Sequence, residues 1–296
     1  MKKYFSLFTA SFIVCLIATS LPSHAMDDQE KEKYILVAGT SSSGKSTTTQ
    51  ELGSKCPKFL INGRDEIEDQ VEKYRDYDPK NSEKETPDEY DLNKDKYYLG
   101  HLAQWVVKHQ DKPLILDVLA PQPILEALEK LNFYSPPFKV LLYVPLSKYR
   151  ERLRTRNRKA FEEMNREELR TPLDMVLQYE AIFKVSEQDT NLPLGMKINE
   201  EGMREILNDF SQDAVAFEKE ASKKGFSNPI ENEKEFEEEL EEEHQSDIQK
   251  TLNKMFSSLK EGYLVPKDNY DLIIDTSVSS SSEIADLIQK TFLEKK

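Results

Sequence analysis

The sequence predicts an α/β protein, a doubly wound sheet with a helical block inserted before its last strand. Three observations predict this fold. Short apolar runs typical of strands alternate with helical spacing in the first half of the chain, a glycine-rich turn joins the first strand to the first helix, and a further strand and helix close the chain. We expect the domain to span residues 30–296, with residues 161–262 as the helical insertion.

Residues 1–25 have the pattern of a secretory signal peptide. Lys2 and Lys3 precede an apolar stretch over residues 4–21, and the small residues Ser23 and Ala25 precede an abrupt change to charged sequence. An uncleaved membrane anchor is the alternative, because the apolar stretch is near the lower length for a bilayer span. We expect a secreted or periplasmic protein, without stable membrane association once the signal is cleaved. Delivery into another cell, with a host protein as partner, is a further hypothesis.

Composition argues against a polyanionic partner. The 296 residues include 41 Lys and Arg against 55 Asp and Glu, a formal net charge of -14. Such a surface repels nucleic acid, which we therefore do not expect as a partner. Cleavage of the signal peptide would leave Cys56 as the remaining cysteine, which excludes an internal disulfide.

Residues 39–47 read GTSSSGKST and satisfy the pattern G-x-x-x-x-G-K-[ST]. An apolar run over residues 34–38 precedes this loop and a possible helix follows it, which is the context that the pattern requires. Glycines let the backbone fold round a phosphate chain, and the helix N-terminus adds positive potential. Lys45 would reach the terminal phosphates and the Ser46 hydroxyl would bind Mg²⁺. The loop residues predicted to bind nucleotide are Gly39, Thr40, Ser41, Ser42, Ser43, Gly44, Lys45, Ser46 and Thr47.

Two aspartates follow later apolar runs. Asp65 comes after residues 58–61, so it would face the same crevice as the loop and could act as a general base; the alternative is that it caps the next helix. Asp117 lies near the end of the run over residues 114–118, where a carboxylate can orient Mg²⁺. The Asp117 pattern is weak alone, and the glycine loop strengthens it.

Alternate arginines occupy residues 150–158, after the strand predicted over residues 140–144. On a helix Arg152 and Arg156 share one face, and Arg150, Arg154 and Arg158 share another. We favour Arg152 and Arg156 as the inward pair that stabilises a transferring phosphoryl group. A solvated basic helix, paired with nearby acids, is the alternative.

The second half of the chain is predicted to be mostly helical up to Gly262, without a strand pattern. Residues 231–243 are an acid run that we interpret as a solvated helical face. A last strand over residues 272–275 is followed by Thr276 and Ser277, which would lie near the base of a bound nucleotide. Ser280 and Glu283 have the spacing of a capping box for the final helix.

The glycine loop, Asp65, the arginine helix and the closing residues DLIIDTSVSSSSEIADLI together resemble the P-loop kinase superfamily. Within it, the chain looks most like the chloramphenicol phosphotransferase-like small-molecule kinases, whose loop carries a similar Ser-Ser-x-Gly-Lys-Ser run. The resemblance covers residues 34–157 and 270–293 and implies a parallel five-stranded sheet, ATP and Mg²⁺, and a catalytic aspartate after the second strand, which Asp65 would match. The insertion departs from the compact members and leaves the acceptor open.

The sequence therefore predicts an ATP-dependent phosphotransferase that acts on a hydroxyl of a small molecule. The predicted catalytic residues are Lys45, Asp65, Arg152 and Arg156, and the predicted metal ligands are Ser46 and Asp117. One alternative is a zeta-toxin-like kinase of nucleotide sugars. Another is a non-catalytic module that binds a protein in a nucleotide-dependent manner after export to another cell.

Overall fold

The structure is a computed structural model, and it describes residues 34–62, 67, 87–165, 169–170, 172–188, 196–225, 230 and 232–295. The predicted signal peptide over residues 1–25 and the candidate base Asp65 lie outside the described residues. Among the helices that are described, none is long and apolar enough to cross a bilayer.

Strands and helices alternate through the first half of the chain. The strands are β1 (Ile35–Ala38), β2 (Leu60–Ile61), β3 (Leu114–Val118), β4 (Phe138–Tyr143), β5 (Phe183–Ser186), β6 (Met196–Asn199), β7 (Glu261–Pro266) and β8 (Leu272–Asp275). The helices are α1 (Lys45–Lys55), α2 (Pro87–Lys108), α3 (Pro121–Lys130), α4 (Leu146–Glu163), α5 (Pro172–Ile182), α6 (Glu200–Lys223), α7 (Glu233–Phe256) and α8 (Ser281–Glu294).

In the described part of the chain, five parallel strands form the main sheet in the order β2-β3-β1-β4-β8. This confirms the predicted doubly wound α/β fold. Strands β3 and β4 both follow β1 in the chain, and they lie on opposite sides of it in the sheet, so the order of the strands reverses at β1. Ligands of such sheets collect beyond the carboxyl ends of the strands at this point of reversal. The glycine loop follows β1 and Asp117 lies near the end of β3, so both are at this edge.

Two apolar layers cover the two faces of the main sheet. Successive side chains of a strand point to opposite faces. Ile35 and Val37 of β1 therefore belong to one cluster, which includes residues of α1 and α8, whereas Leu36 and Ala38 belong to another. The second cluster also contains side chains from the insertion, among them Tyr179, Phe210 and Leu252. Because the insertion shares this core, residues 33–296 form one compact unit.

The insertion is not purely helical. It carries α5, α6 and α7, as the periodicity predicts, but β5, β7 and β6 form a small antiparallel sheet in that order. The prediction that no strand lies between residues 161 and 262 is therefore wrong. These strands are short and mix charged with apolar residues, and they pair across a long stretch of chain, so local sequence does not reveal them.

Two smaller features of the sequence prediction can be compared with the structure. The predicted capping box is present, since Ser280 Oγ accepts from the Glu283 N–H and the Glu283 carboxylate accepts from the Ser280 N–H. Residues 68–95 are dense in charged residues, Tyr and Pro without a sustained period, which predicts an irregular surface segment, but helix α2 begins at Pro87. Proline at the first position of a helix loses no hydrogen bond, so its presence is compatible with a helix start there.

Candidate functional site

The glycine loop contains left-handed backbone conformations and one closely packed glycine. Ser42 has φ of 61° and Gly44 has φ of 92°, both in the left-handed region. Gly39 is closely packed, because a Cβ there would lie 2.4 Å from the carbonyl oxygen of Leu142 and 2.6 Å from Ser43 Oγ. Gly44 precedes α1 as its N-cap and has no side chain to cap the first turn. The loop therefore presents a helix N-terminus that suits an anion.

Lys45, Ser46 and Asp117 meet at the mouth of this loop. Ser46 Oγ donates to Asp117 Oδ2 at 2.8 Å, and Lys45 Nζ lies 4.0 Å from Asp117 Oδ1. Lys45 Nζ also donates to the Thr40 carbonyl oxygen at 3.0 Å. The structure therefore brings together the two residues predicted as metal ligands. Thr47 follows in the first turn of α1 and is exposed.

Asn62, at the end of β2, holds the backbone of Asp117. Its Oδ1 accepts from the Asp117 N–H at 2.8 Å, and the side chain is buried. Its Nδ2 has no hydrogen-bond partner among the described residues. Asn62 directly follows the apolar run over residues 58–61, and it is not among the predicted site residues. A polar side chain that follows one strand can hydrogen-bond to the backbone of the neighbouring strand, but no sequence motif indicated this role for Asn62.

Arg152 connects the glycine loop to the residues after β8. Its Nη1 donates to the Ser42 carbonyl oxygen at 3.3 Å and to Thr276 Oγ1 at 2.9 Å, and its Nη2 donates to the Thr276 carbonyl oxygen at 2.6 Å. The Arg152 guanidinium thus contacts both the glycine loop and the turn after β8. Phosphate contact by Arg152 remains a prediction.

Arg156 reaches the loop from the next turn of α4. Its Nη1 donates to Ser41 Oγ at 2.7 Å. The other arginine face points away, because Arg150 and Arg154 form ion pairs with Asp209 of α6. The structure therefore directs Arg156 towards the glycine loop and pairs Arg150 and Arg154 with an acid. The catalytic role of Arg156 stays a prediction.

Thr276 and Ser277 follow β8. Thr276 is buried, and its N–H donates to the Tyr143 carbonyl oxygen at 2.9 Å. The Ser277 N–H donates to Asp275 Oδ1 at 2.8 Å, which shapes the turn. Burial, together with the nearby charge of Asp275, raises the pKa of the Tyr143 phenol. Contact of Thr276 or Ser277 with a nucleotide base remains a prediction.

Two residues from the start of the insertion contact Ser41, and neither is among the predicted site residues. The Ser41 N–H donates to Gln178 Oε1 at 2.6 Å, and Arg170 Nε donates to Ser41 Oγ at 3.1 Å. Gln178 belongs to α5, and Arg170 precedes it. Neither lies in a sequence motif, so only the fold reveals their position beside the loop.

Three comparisons with known proteins show what parts of the chain are similar to. Residues 35–171, a little under half of the chain, match a family model described as an AAA domain. A search of curated proteins found no match. Among solved structures, shikimate kinase from Acinetobacter baumannii in complex with shikimate is similar over 90% of this chain and 96% of that chain, with 13% sequence identity and a TM-score of 0.34. We draw no inference about activity from a structural similarity of this size.

The sheet order and the loop geometry therefore lead to one conclusion about the fold. The chain has a doubly wound α/β fold with a glycine loop between β1 and α1, and over residues 35–171 it is similar to a family model described as an AAA domain.

Proposed function

We propose that the protein transfers a phosphoryl group from ATP to a hydroxyl of a small molecule. The observation that carries this proposal is the hydrogen bond between Ser46 and Asp117 at the mouth of the glycine loop, with Lys45 beside it. A hydroxyl and a carboxylate placed next to a phosphate-binding loop are the protein ligands that Mg²⁺ takes in ATP sites. The loop, Lys45 and the arginines would supply the positive charge that balances the four negative charges of the ATP phosphates.

The loop has the features that a phosphate chain requires. Ser43 Oγ is buried without a hydrogen-bond partner among the described residues. A Cβ added at Gly44 would meet nothing within 4 Å, so the space beside the first turn of α1 is open. Open space at a helix N-terminus and an unsatisfied buried hydroxyl both favour a polar, anionic occupant.

The donors available to a metal also fit Mg²⁺. Ser46 Oγ and the Asp117 carboxylate are hard oxygen ligands, and Asn62 orients Asp117 through its backbone. The described residues contain no group of three or more His, Cys, Asp or Glu that could hold a metal. This favours Mg²⁺ held jointly by one carboxylate and substrate phosphates over a site built only from protein ligands. When bound, Mg²⁺ would neutralise charge on the phosphate oxygens.

Each of the chain's own site residues would then have a separate role in the transfer. Loop amides and Lys45 would hold the phosphates, and Arg156, which donates to Ser41 Oγ, would contact the transferred group. Arg152 would fix the loop against the turn after β8. Asp65 is the proposed base for the acceptor hydroxyl, and this assignment rests on the sequence alone.

We propose only the chemical class of the acceptor. A small molecule with a free hydroxyl is the first candidate, in line with the resemblance to chloramphenicol phosphotransferase-like kinases. A nucleotide sugar is the alternative acceptor. Secretion or delivery to another cell, with a host protein as partner, stays a hypothesis from the predicted signal peptide.

A second candidate function is favoured by the contact between Gln178 and Ser41. This hydrogen bond joins the insertion directly to the glycine loop. A bound nucleotide could therefore change the conformation of the insertion that a partner protein binds. In this second function ATP would control binding of the partner protein and would not donate a phosphoryl group.

One experiment separates these functions. The mature protein is incubated with ATP, Mg²⁺ and a metabolite extract, and products are examined by mass spectrometry; UDP-sugars are tested separately. Phosphate on a small molecule supports the first function, phosphate on a UDP-sugar supports the alternative acceptor, and nucleotide binding without turnover supports the second function. Lys45→Ala should abolish product formation, and absence of any affinity for ATP and Mg²⁺ in calorimetry would refute all three.

A further inference from the structure

A side chain of the insertion occupies a backbone donor of the glycine loop. Gln178 Oε1 accepts from the Ser41 N–H at 2.6 Å, and the two residues lie 137 positions apart in the chain. The amides of a glycine loop at a helix N-terminus are donors for phosphate oxygens. Because a backbone N–H carries a single hydrogen, the Ser41 N–H cannot serve the carboxamide and a phosphate oxygen at full strength together. The insertion therefore places a neutral competitor for an anion on this loop.

The position of Gln178 follows from the packing of helix α5. The next residue, Tyr179, is buried. Its ring centroid lies 5.5 Å from that of Tyr149 in α4 and 5.5 Å from that of Phe183 in β5. Close-packed interiors leave few voids into which such a ring can move. Helix α5 therefore has a defined position, and in that position it carries Gln178 to the loop.

The C-terminal end of α5 is held by two lysines from later in the chain. Lys267, directly after β7, donates its N–H to the Ile182 carbonyl oxygen at 2.8 Å and its Nζ to the Glu180 carbonyl oxygen. A helix leaves the carbonyl groups of its last turn without partners of its own, and a cation there also complements the helix dipole. Lys254 of α7 forms an ion pair with the Glu180 carboxylate, with 2.6 Å between Nζ and Oε2. The two lysines therefore anchor α5 at the end where it joins β5.

The contact with the loop and the ion pair with α7 lie on different sides of α5. Residues two positions apart on an α-helix are separated by about 200° around its axis. Gln178 accordingly reaches Ser41, while Glu180 reaches Lys254. Helix α5 therefore bridges the glycine loop and the rest of the insertion, so contacts on one side resist its displacement from the other.

Resting on the function proposed above, we propose that α5 is an autoinhibitory strap. Its Gln178 carboxamide occupies the Ser41 N–H until a phosphate group of ATP displaces it, and α5 then moves away from the loop. Lys254 and Lys267 stabilise the position of α5 that ATP has to displace, so they lower the affinity for ATP. Any change that loosens these anchors raises that affinity, because ligand binding and the position of α5 are thermodynamically linked.

The test measures ATP affinity by calorimetry with Mg²⁺ on the full mature chain and on Lys254→Ala, Lys267→Met, Gln178→Glu and Gln178→Ala. A double variant combines Gln178→Ala with Lys254→Ala. Lys250→Ala is the matched control for Lys254→Ala, because Lys250 lies one turn earlier on α7 and its ion pair with Asp247 is internal to that helix. Thermal unfolding of each variant establishes that it is folded.

Loss of either anchor should strengthen ATP binding. Lys254→Ala and Lys267→Met should each raise ATP affinity by about twofold to fivefold, the range for one exposed ion pair or one cation at a helix terminus. The direction is informative, since loss of a positive charge would by itself weaken binding of an anion, and Lys250→Ala should show no gain. Gln178→Glu should weaken ATP binding by about tenfold, because a carboxylate holds the Ser41 N–H more strongly than a carboxamide does and repels phosphate.

The double variant tests the link between the anchor and the loop. Once Gln178 no longer occupies the Ser41 N–H, ATP does not have to displace α5. Lys254→Ala should therefore raise ATP affinity in the parent and leave it unchanged in the Gln178→Ala background. Such non-additivity is the signature of two residues that act through the same step.

The strap and the proposed function fail differently. If neither the parent nor Gln178→Ala binds ATP, the proposed phosphoryl transfer is refuted, and the strap with it. If both bind ATP while folded Lys254→Ala and Lys267→Met keep the parent's affinity, the Gln178 side chain leaves the loop without movement of α5, and the strap is wrong while phosphoryl transfer stands. Equal gains from Lys254→Ala with and without Gln178, or parental ATP affinity in Gln178→Glu, would overturn the strap in the same way.

Discussion

Replacement of Asp117 by asparagine should abolish the dependence of nucleotide binding on Mg²⁺. The change is nearly isosteric, and the new carboxamide oxygen can still accept from Ser46 Oγ, which lies 2.8 Å from Asp117 Oδ2. It removes a negative charge 4.0 Å from Lys45 Nζ, in a pair whose side chains are only 12% and 13% exposed. Packing should therefore change little, while the electrostatics of the site change strongly.

The size of the effect is estimated by taking the Asp117 carboxylate to act on a bound cation as strongly as on a unit charge at the 4.0 Å separation from Lys45. Two unit charges 4 Å apart interact by about 4 kcal/mol at the effective dielectric constant of a protein surface. Competing hydration reduces the net value to about 1.5–3 kcal/mol, typical of hydrogen bonds to charged groups. This corresponds to roughly tenfold to 100-fold in affinity. The parent should bind ATP more tightly with Mg²⁺ than with EDTA by about this factor, and Asp117→Asn should bind both forms with similar affinity.

Calorimetry with and without Mg²⁺ measures the ratio directly. Metal-free ATP should bind Asp117→Asn more tightly than it binds the parent, because one negative charge has left the phosphate site. Asp209→Asn is the control, since it changes a carboxylate that is ion-paired with Arg150 and Arg154 away from the loop. If Asp117→Asn kept the parent's ratio of affinities, Asp117 would not be a metal ligand, and the observation that carries the proposed function would be lost.

Three further predictions test the loop and the scaffold. Gly39→Ala should lower the free energy of unfolding by about 1–3 kcal/mol in urea titrations, because its Cβ would lie 2.4 Å from a backbone oxygen of β4. Gln178→Ala should raise ATP affinity in calorimetry by about threefold to tenfold, since a phosphate oxygen would no longer displace a carboxamide worth roughly 1 kcal/mol from the Ser41 N–H. Asp271→Asn should destabilise the protein near neutral pH and have little effect in acid. Burial alone would raise the pKa of Asp271, but hydrogen bonds from Lys295 and the Lys139 N–H outweigh it, and the pKa in the folded state is lowered. The stabilisation is therefore fully present above the unfolded pKa of about 3.9 and is lost as pH falls through the folded value, which urea titrations at both pH values measure.

Each of these has a clear contrary outcome. Gly39→Ala with parental stability would mean that the loop can move away from β4. Weaker ATP binding by Gln178→Ala would show that the carboxamide helps to hold the nucleotide. An Asp271→Asn effect independent of pH would mean that packing, and not the charge of the carboxylate, stabilises the end of the chain.

The sequence by itself determined the strands of the main sheet and the position of the glycine loop. Both are local signals. A buried parallel strand such as β4 is a continuous apolar run, and a loop that folds round phosphates requires glycines at fixed spacing next to a lysine. The capping box at Ser280 was predictable for the same reason, since its donors and acceptors lie within four residues.

Tertiary structure alone decided which side chains meet at the loop. Helical periodicity separates Arg152 and Arg156 from Arg150 and Arg154, but it does not say which face packs against the sheet; the contacts with Ser41 and Asp209 decide that. The strands of the insertion pair residues 62 to 83 positions apart, and Arg170 and Gln178 lie 129 and 137 positions from Ser41. Such contacts follow from how the whole core is buried, and no local pattern of residues encodes them.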